Sequence, residues 1–246
     1  MSEEHSMKLT WLGQGGFLFV SEGFRLAVDP YLSDFVERKQ GLTRLTPPPM
    51  DAEELSPVVV VCTHDHPDHL DPVLIAHLVE RTDCLLAGPG AVQERLRKMG
   101  AAPGRILPLS AGQQSAAGPF QLRALHASHG ATEAVSLLLR AAGQSVYLTG
   151  DTLYTRELTA SACEFAAGVD LLLVCINGKW GNMDHLQAAL LAALLAPRTV
   201  APMHYGLFAE NTVDPAAFLA RCDEAGMHAV ELHVGAETDL ADLRAN

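Results

Sequence analysis

Basic residues are scarce in this chain: 17 Lys and Arg stand against 29 Asp and Glu, a net charge of −12 over 246 residues. A sequence-independent nucleic-acid binder or a polybasic membrane binder needs a cationic face, which this balance argues against. Long apolar runs are missing too. The longest, Ala188 to Ala196, spans nine residues, far short of the ~20 that cross a bilayer. Only five cysteines occur, at Cys62, Cys84, Cys163, Cys175 and Cys222, with no CxxC pair. An odd, scattered set does not form a disulfide framework, and a reduced, cytoplasmic chain is expected. The segment Met1–Lys8 is acidic and polar, unlike a secretory signal. No linker, low-complexity tract or repeat interrupts the chain. With 48% hydrophobic and 19% charged residues, a disordered protein is excluded and one globular domain is expected.

Periodicity supplies the elements. Lys8–Leu12, Gly16–Ser21 and Phe24–Asp29 read as a three-stranded meander with glycine-bearing turns. Ser33–Pro57 mixes charges with Pro47-Pro48-Pro49 and predicts a long loop or a short helix plus an extended stretch; loops of that length are usually functional. Val58–Val61 is a β-branched run, hence a strand buried on both faces. Asp71 and Pro72 then open a helix to about Arg81, with Val73, Leu74, Leu78 and Val79 as its apolar face. Strands follow at Leu85–Ala87, Phe120–Ala124, Val135–Arg140, Ser145–Thr149, Asp170–Ile176, Thr199–Ala201 and Ala229–Leu232. Helices are expected at Ala91–Met99, Thr155–Ala167, Leu186–Leu195 and from Pro215 to Ala225. Hairpins and helical crossovers together predict mixed sheets covered by helices.

The chemical signal is Thr63-His64-Asp65-His66-Pro67-Asp68-His69, three histidines and two aspartates directly after a buried strand. Imidazole and carboxylate are ligands of borderline divalent metals. Side chains alternate in extended backbone, so this cluster divides between two ions: His64 and His66 toward one, Asp68 and His69 toward the other. The bland alternative is a solvated loop whose aspartates cap the next helix, but histidine is a poor capping residue. Three further segments each end a strand with a ligand type. Ala124–Gly130 offers His126 and His129, Leu148–Thr152 offers Asp151, and Ala201–Gly206 offers His204. Each alone is weak; together they complete a coordination shell.

The order HxHxDH, then His, then Asp in a Gly-Asp step, then a late His resembles the metallo-β-lactamase superfamily. Within it, Asp29–Pro49 (DPYLSDFVERKQGLTRLTPPP), Ile176–Asn182 (INGKWGN) and Pro202–Pro215 (PMHYGLFAENTVDP) resemble the ascorbate-6-phosphate lactonase branch of metal-dependent hydrolases. The resemblance implies a four-layer αββα sandwich with two divalent ions, zinc or manganese, at one edge. His64, His66 and His129 would hold the first ion; Asp68, His69 and His204 the second; Asp151 would bridge them. The resemblance favours His129 over His126, since the residue just before the glycine is the ligand in the family; His126 would then stand behind the ligands or face the pocket. Asp65 would orient a ligand histidine through its second nitrogen.

Such a pair of ions would turn a bridging water into hydroxide that attacks an ester, lactone or phosphodiester, with Asp68 passing a proton to the leaving group. The expected reaction is opening of a lactone on a small anionic, sugar-acid-phosphate-like substrate. Phosphodiesterase action is the alternative enzyme, and non-catalytic metal or metabolite binding or di-iron redox chemistry are alternative classes. An anionic substrate calls for cationic or amide donors. Candidates are Arg38, Lys39 and Arg44 in the proline-bearing loop, Asn177, Lys179, Trp180 and Asn182 in INGKWGN, Tyr205 and Asn211, with Gln14 as a further lining residue. Against each stands the plain role of solvated charge or turn support. Oligomeric state is left open.

Overall fold

The computed structural model describes residues 6–243, so Met1–His5 of the polar N-terminal segment lie outside the described residues. The first half of the chain runs β1 (Lys8–Gly13), β2 (Gly16–Ser21), β3 (Phe24–Val28), α1 (Phe35–Gln40), α2 (Ala52–Leu55), β4 (Val59–Val61), α3 (Pro72–Arg81), β5 (Leu85–Gly88), α4 (Gly90–Lys98) and β6 (Ile106–Pro108). The second runs β7 (Gln114–Ala117), β8 (Phe120–His126), β9 (Val135–Ala141), β10 (Gln144–Leu148), α5 (Arg156–Phe165), β11 (Leu171–Cys175), α6 (His185–Leu195), β12 (Thr199–Met203), α7 (Ala216–Glu224) and β13 (Glu237–Asp239).

Two mixed sheets result, ordered β13-β1-β2-β3-β4-β5-β6 and β12-β11-β10-β9-β8-β7. Both halves follow one plan: an antiparallel meander, then parallel strands reached by helical crossovers. The period of two in the strands sorts their side chains. Leu26, Val28, Val59 and Val61 face Phe120, Leu122, Leu137 and Leu139 of the other sheet. Their neighbours Ala27, Val60 and Leu86 face Leu74, Ile75 and Leu78 of α3 and Val92 and Leu96 of α4. On the opposite side, α5 and α6 bring Leu158, Ala162, Ala188 and Leu191 onto the second sheet. The order helix, sheet, sheet, helix is the expected αββα sandwich, and each fully buried Leu or Val contributes about 1.5–3 kcal/mol to holding it.

Asp71 fixes how the chain leaves the histidine cluster. Its Oδ1 accepts from the Val73 and Leu74 amides at the start of α3. Its Oδ2 takes the Leu32 and Ser33 amides of the β3–α1 loop at 3.0 and 2.8 Å.

Several expectations need correction. Val73 lies on the outer face of α3, 45% exposed, and Ile75 is buried in its place. Ala229–Leu232 forms no strand; Ala229 makes a single bridge to Val200. The edge beside β1 is instead β13, whose Glu-Thr-Asp sequence has no apolar pattern to reveal it. The short strands β6 and β7 were likewise not foreseen. No helix among the described residues is long and apolar enough to cross a membrane.

Candidate metal centre

The four ligand-bearing segments all leave the ends of strands at one rim of the sandwich: the motif after β4, His129 after β8, Asp151 after β10 and His204 after β12. Three groups of side chains converge there: His64 with His66 and His129; His64 with His69 and Asp151; Asp68 with His69 and His204. His66 Nδ1 lies 3.0 Å from His64 Nε2 and 3.1 Å from His129 Nε2. One ring nitrogen cannot share protons with two others at once. A cation at the centre satisfies all three, since tetrahedral zinc with nitrogen ligands places them about 3.3 Å apart.

Asp151 joins the two halves of the site. Its Oδ2 is 3.6 Å from His129 Nε2, while its Oδ1 is 3.0 Å from His204 Nε2 and 3.4 Å from His69 Nε2. Asp68 Oδ2 stands 3.8 Å from His69 Nε2 and 4.0 Å from His204 Nε2, and Gln14 Nε2 donates to the same oxygen at 3.1 Å. Three buried atoms at this centre make no aligned hydrogen bond despite their close approach: His69 Nε2, His204 Nε2 and Asp151 Oδ1. Buried donors and acceptors are rarely orphaned, and two imidazole nitrogens around one carboxylate oxygen form a donor set suited to a divalent ion.

The outward nitrogens set the tautomers. His69 Nδ1 is 2.8 Å from Asp29 Oδ2, and His129 Nδ1 is 3.2 Å from Gly181 O. Each therefore carries its proton on Nδ1 when neutral, leaving Nε2 free to coordinate. His64 is held less directly. The Thr63 hydroxyl has one proton and donates it to Asp29 Oδ2 at 2.6 Å, so toward His64 Nδ1, 3.1 Å away, it can only accept. One buried carboxylate thus orients a histidine in each metal group. Asp29 also accepts from the Thr63 amide at 2.6 Å and adopts a left-handed φ of 46°. Glycines keep the space open: a Cβ on Gly15 would meet His69 Cε1 at 2.9 Å.

The charges reinforce one another. Burial lowers the His69 imidazole, but Asp151, Asp29 and Asp68 together outweigh it and hold its pKa well above the usual 6.5. Burial, helped by the charge of His69, holds His64 well below that value and hence neutral. Burial alone would raise the Asp151 carboxyl, yet His204 and His69 draw it well below 3.8.

Of the two histidines in ALHASHG, the structure brings in His129; His126 belongs to no convergent group. Asp65 does not orient a histidine. It points away along the alternating loop and accepts from Thr132 Oγ1 at 2.5 Å, and Asp29 takes that role. Asn182, Asn211 and Trp180 line a cleft of about 240 Å³ together with His66, Asp68, His129 and Asp151. Asn177 stands behind them, bonded to both other asparagines. Arg44, Lys179 and Tyr205 do not line that cleft. Arg44 lies over the Tyr31 ring and donates to the carbonyls of Ser33 and Thr46. Lys179 Nζ donates to the carbonyls of Glu210 and Thr212. Tyr205 packs on Trp11 and its hydroxyl reaches Glu231. Arg38 pairs with Asp34 at the surface, and Lys39 is exposed beside it.

Residues 25–205 match the family described as the beta-lactamase superfamily domain. The chain belongs to that superfamily. Among curated relatives, a UPF0173 protein of Pyrococcus furiosus is 29% identical over 86% of this chain and 89% of its own. A UPF0173 metal-dependent hydrolase of Pyrobaculum islandicum is 26% identical over 88% and 92%. Of solved structures, Igni18, a metallo hydrolase from Ignicoccus hospitalis, superposes with a TM-score of 0.72 at 24% identity, covering 95% of this chain and 97% of its own. The metallo-beta-lactamase fold protein YhfI of Bacillus subtilis gives 0.72 at 20% identity, covering 96% and 99%. These likenesses establish the fold and the superfamily.

Proposed function

We propose that this chain is a metal-dependent hydrolase that opens a carbonyl ester or lactone bond at a pair of divalent ions. His64, His66 and His129 would hold one ion and Asp68, His69 and His204 the other, with Asp151 between them. The observation that carries this reading is the Asp151 carboxylate, which turns one oxygen toward each group while Oδ1 remains buried with no aligned hydrogen bond. Three imidazoles favour zinc at the first position; the two carboxylates at the second also suit manganese. When bound, such ions lower the pKa of water from about 15.7 toward 7 and stabilise charge developing on the substrate oxygen.

The chain's own residues supply the rest. Gln14 ties down Asp68 Oδ2, and Oδ1 is left to move a proton to the leaving oxygen. Asp29 and Thr63 hold the imidazoles in the tautomers that coordination requires. Val36, Leu42 and Trp180 narrow the cleft above the site. A lactone is the sharper reading because of the loop sequences that resemble the ascorbate-6-phosphate lactonase branch. All seven ligand positions are filled, which supports an enzyme over a binding relative that has lost its centre. The free cysteines accord with a cytoplasmic setting.

The test is elemental analysis of the protein loaded with Zn²⁺ or Mn²⁺, alongside hydrolysis of lactones, carboxylic esters and phosphodiesters. The expected result is two ions per chain with carbonyl ester or lactone cleavage, and loss of at least one ion with loss of cleavage in His66→Ala. A protein that stays metal-free, or His66→Ala with full metal content, refutes the assignment.

A further inference from the structure

The cleft over the metal centre carries a directional chain of amides. Asn177 Nδ2 faces the Lys179 carbonyl at 3.4 Å, so that side of the amide is the donor. The same Nδ2 donates to Asn211 Oδ1 at 2.8 Å, and Asn177 Oδ1 accepts from Asn182 Nδ2 at 3.0 Å. All three asparagines are at least 95% buried. With the orientation of Asn177 set, its neighbours have no choice about theirs. Asn182 is left with Oδ1, buried and without a partner. Asn211 is left with its Nδ2 donor. Both residues line the cleft.

No Lys or Arg lines the cleft among the described residues. The nearby cations are committed to backbone carbonyls or to Asp34, as described above, apart from Lys39 on the exposed face of α1. Three carboxylates, Asp29, Asp68 and Asp151, already stand against the four positive charges of two divalent ions. The remaining positive charge sits at the reacting end. A phosphate elsewhere on the substrate would find an indole, aliphatic side chains and amides, and would lose its hydration without a counter-charge.

We propose that the cleft selects a small uncharged substrate bearing an N–H or O–H donor and a carbonyl acceptor, read by Asn182 Oδ1 and Asn211 Nδ2, rather than a phosphate-bearing one. The proposal rests on the hydrolase reading for its reaction but on the amide chain for its specificity. A buried acceptor left unpaired is costly, and a substrate donor removes that cost. An analogue without the donor restores it, which is how such sites discriminate between near-isosteres.

The experiment follows methanol release from three methyl esters of one size on the metal-loaded protein: N-acetylglycine methyl ester, its acetoxy analogue in which oxygen replaces N–H, and methyl phosphoglycolate. Calorimetric binding of N-acetylglycinamide and phosphoglycolate runs in parallel. The expected result is a preference of about tenfold or more in kcat/KM for the N–H ester over both others. In Asn182→Leu the ratio of N–H to acetoxy ester falls to near one, and Asn211→Leu, at the other end of the chain of amides, lowers it as well. Preference for the phosphate ester, or an unchanged ratio in both variants, overturns the proposal. If no ester is cleaved although both ions bind, the hydrolase reading fails and binding alone decides. Tighter binding of N-acetylglycinamide, lost in Asn182→Leu, then upholds the specificity, and tighter phosphoglycolate binding overturns it.

Discussion

Asp29→Asn is the most informative single change, because it alters one atom and should reach both metal groups. Asn tolerates the left-handed backbone at this position, so the loop is expected to persist. The Thr63 amide can only donate, so the new side chain must keep its oxygen there and turn its NH2 toward Thr63 Oγ1 and His69 Nδ1. Both must now accept. The Thr63 hydroxyl proton rotates to His64 Nδ1, and each imidazole moves its own proton to Nε2, the atom that would coordinate an ion. Loss of an orienting partner of a ligand costs 10–100-fold in metal affinity, or about 1.4–2.7 kcal/mol per ion. Competition titration with a chelator at pH 7 measures both sites, and thermal unfolding of the metal-free variant checks the fold. Unchanged affinity at both sites would refute the tautomer argument. Weakening only at the His69 site would refute the relay through Thr63.

Other consequences follow from the same geometry. Gly15→Ala should weaken the site containing His69 more than the one containing His66, because the added Cβ collides with a fully buried ring; equal affinities at both, measured by metal titration, would contradict it. Metal binding near pH 7 should release a proton from His69, since its metal-free pKa is raised and coordination needs the neutral ring. In the metal-free protein that proton's stabilisation is complete below pH 6.5 and lost as pH rises through the raised value. The readout is calorimetry in buffers of different ionisation enthalpy, with no buffer dependence as the contrary result.

The convergence of His64, His66, Asp68, His69, His129, Asp151 and His204 was legible because each follows a strand that its own β-branched or apolar run declares. Strands of two facing sheets that end at one rim bring their terminal residues together. Asp29 was harder to see. It stands 40 residues from His69, and Asp65, adjacent to the ligands, was the natural candidate; only three-dimensional pairing of β3 with β4 places Asp29 beside Thr63. The cationic residues misled for a related reason. Arg44 and Lys179 lie in the right loops, but charge in a sequence has no direction, and both guanidinium and ammonium turned to backbone carbonyls. β13 escaped notice because an edge strand needs hydrogen-bonding partners more than apolar side chains.

The seven converging side chains come from both layers. Four belong to the loop after β4 in one sheet, and His129, Asp151 and His204 follow strands of the other. Neither half of the molecule owns a complete nest for either cation. Each ion, once lodged, would rivet together two leaves whose facing surfaces otherwise meet largely through hydrocarbon. Stripping the metal and loosening the lip of the sandwich would then be one event, and the candidate metal centre would double as the clasp that keeps its own walls in register.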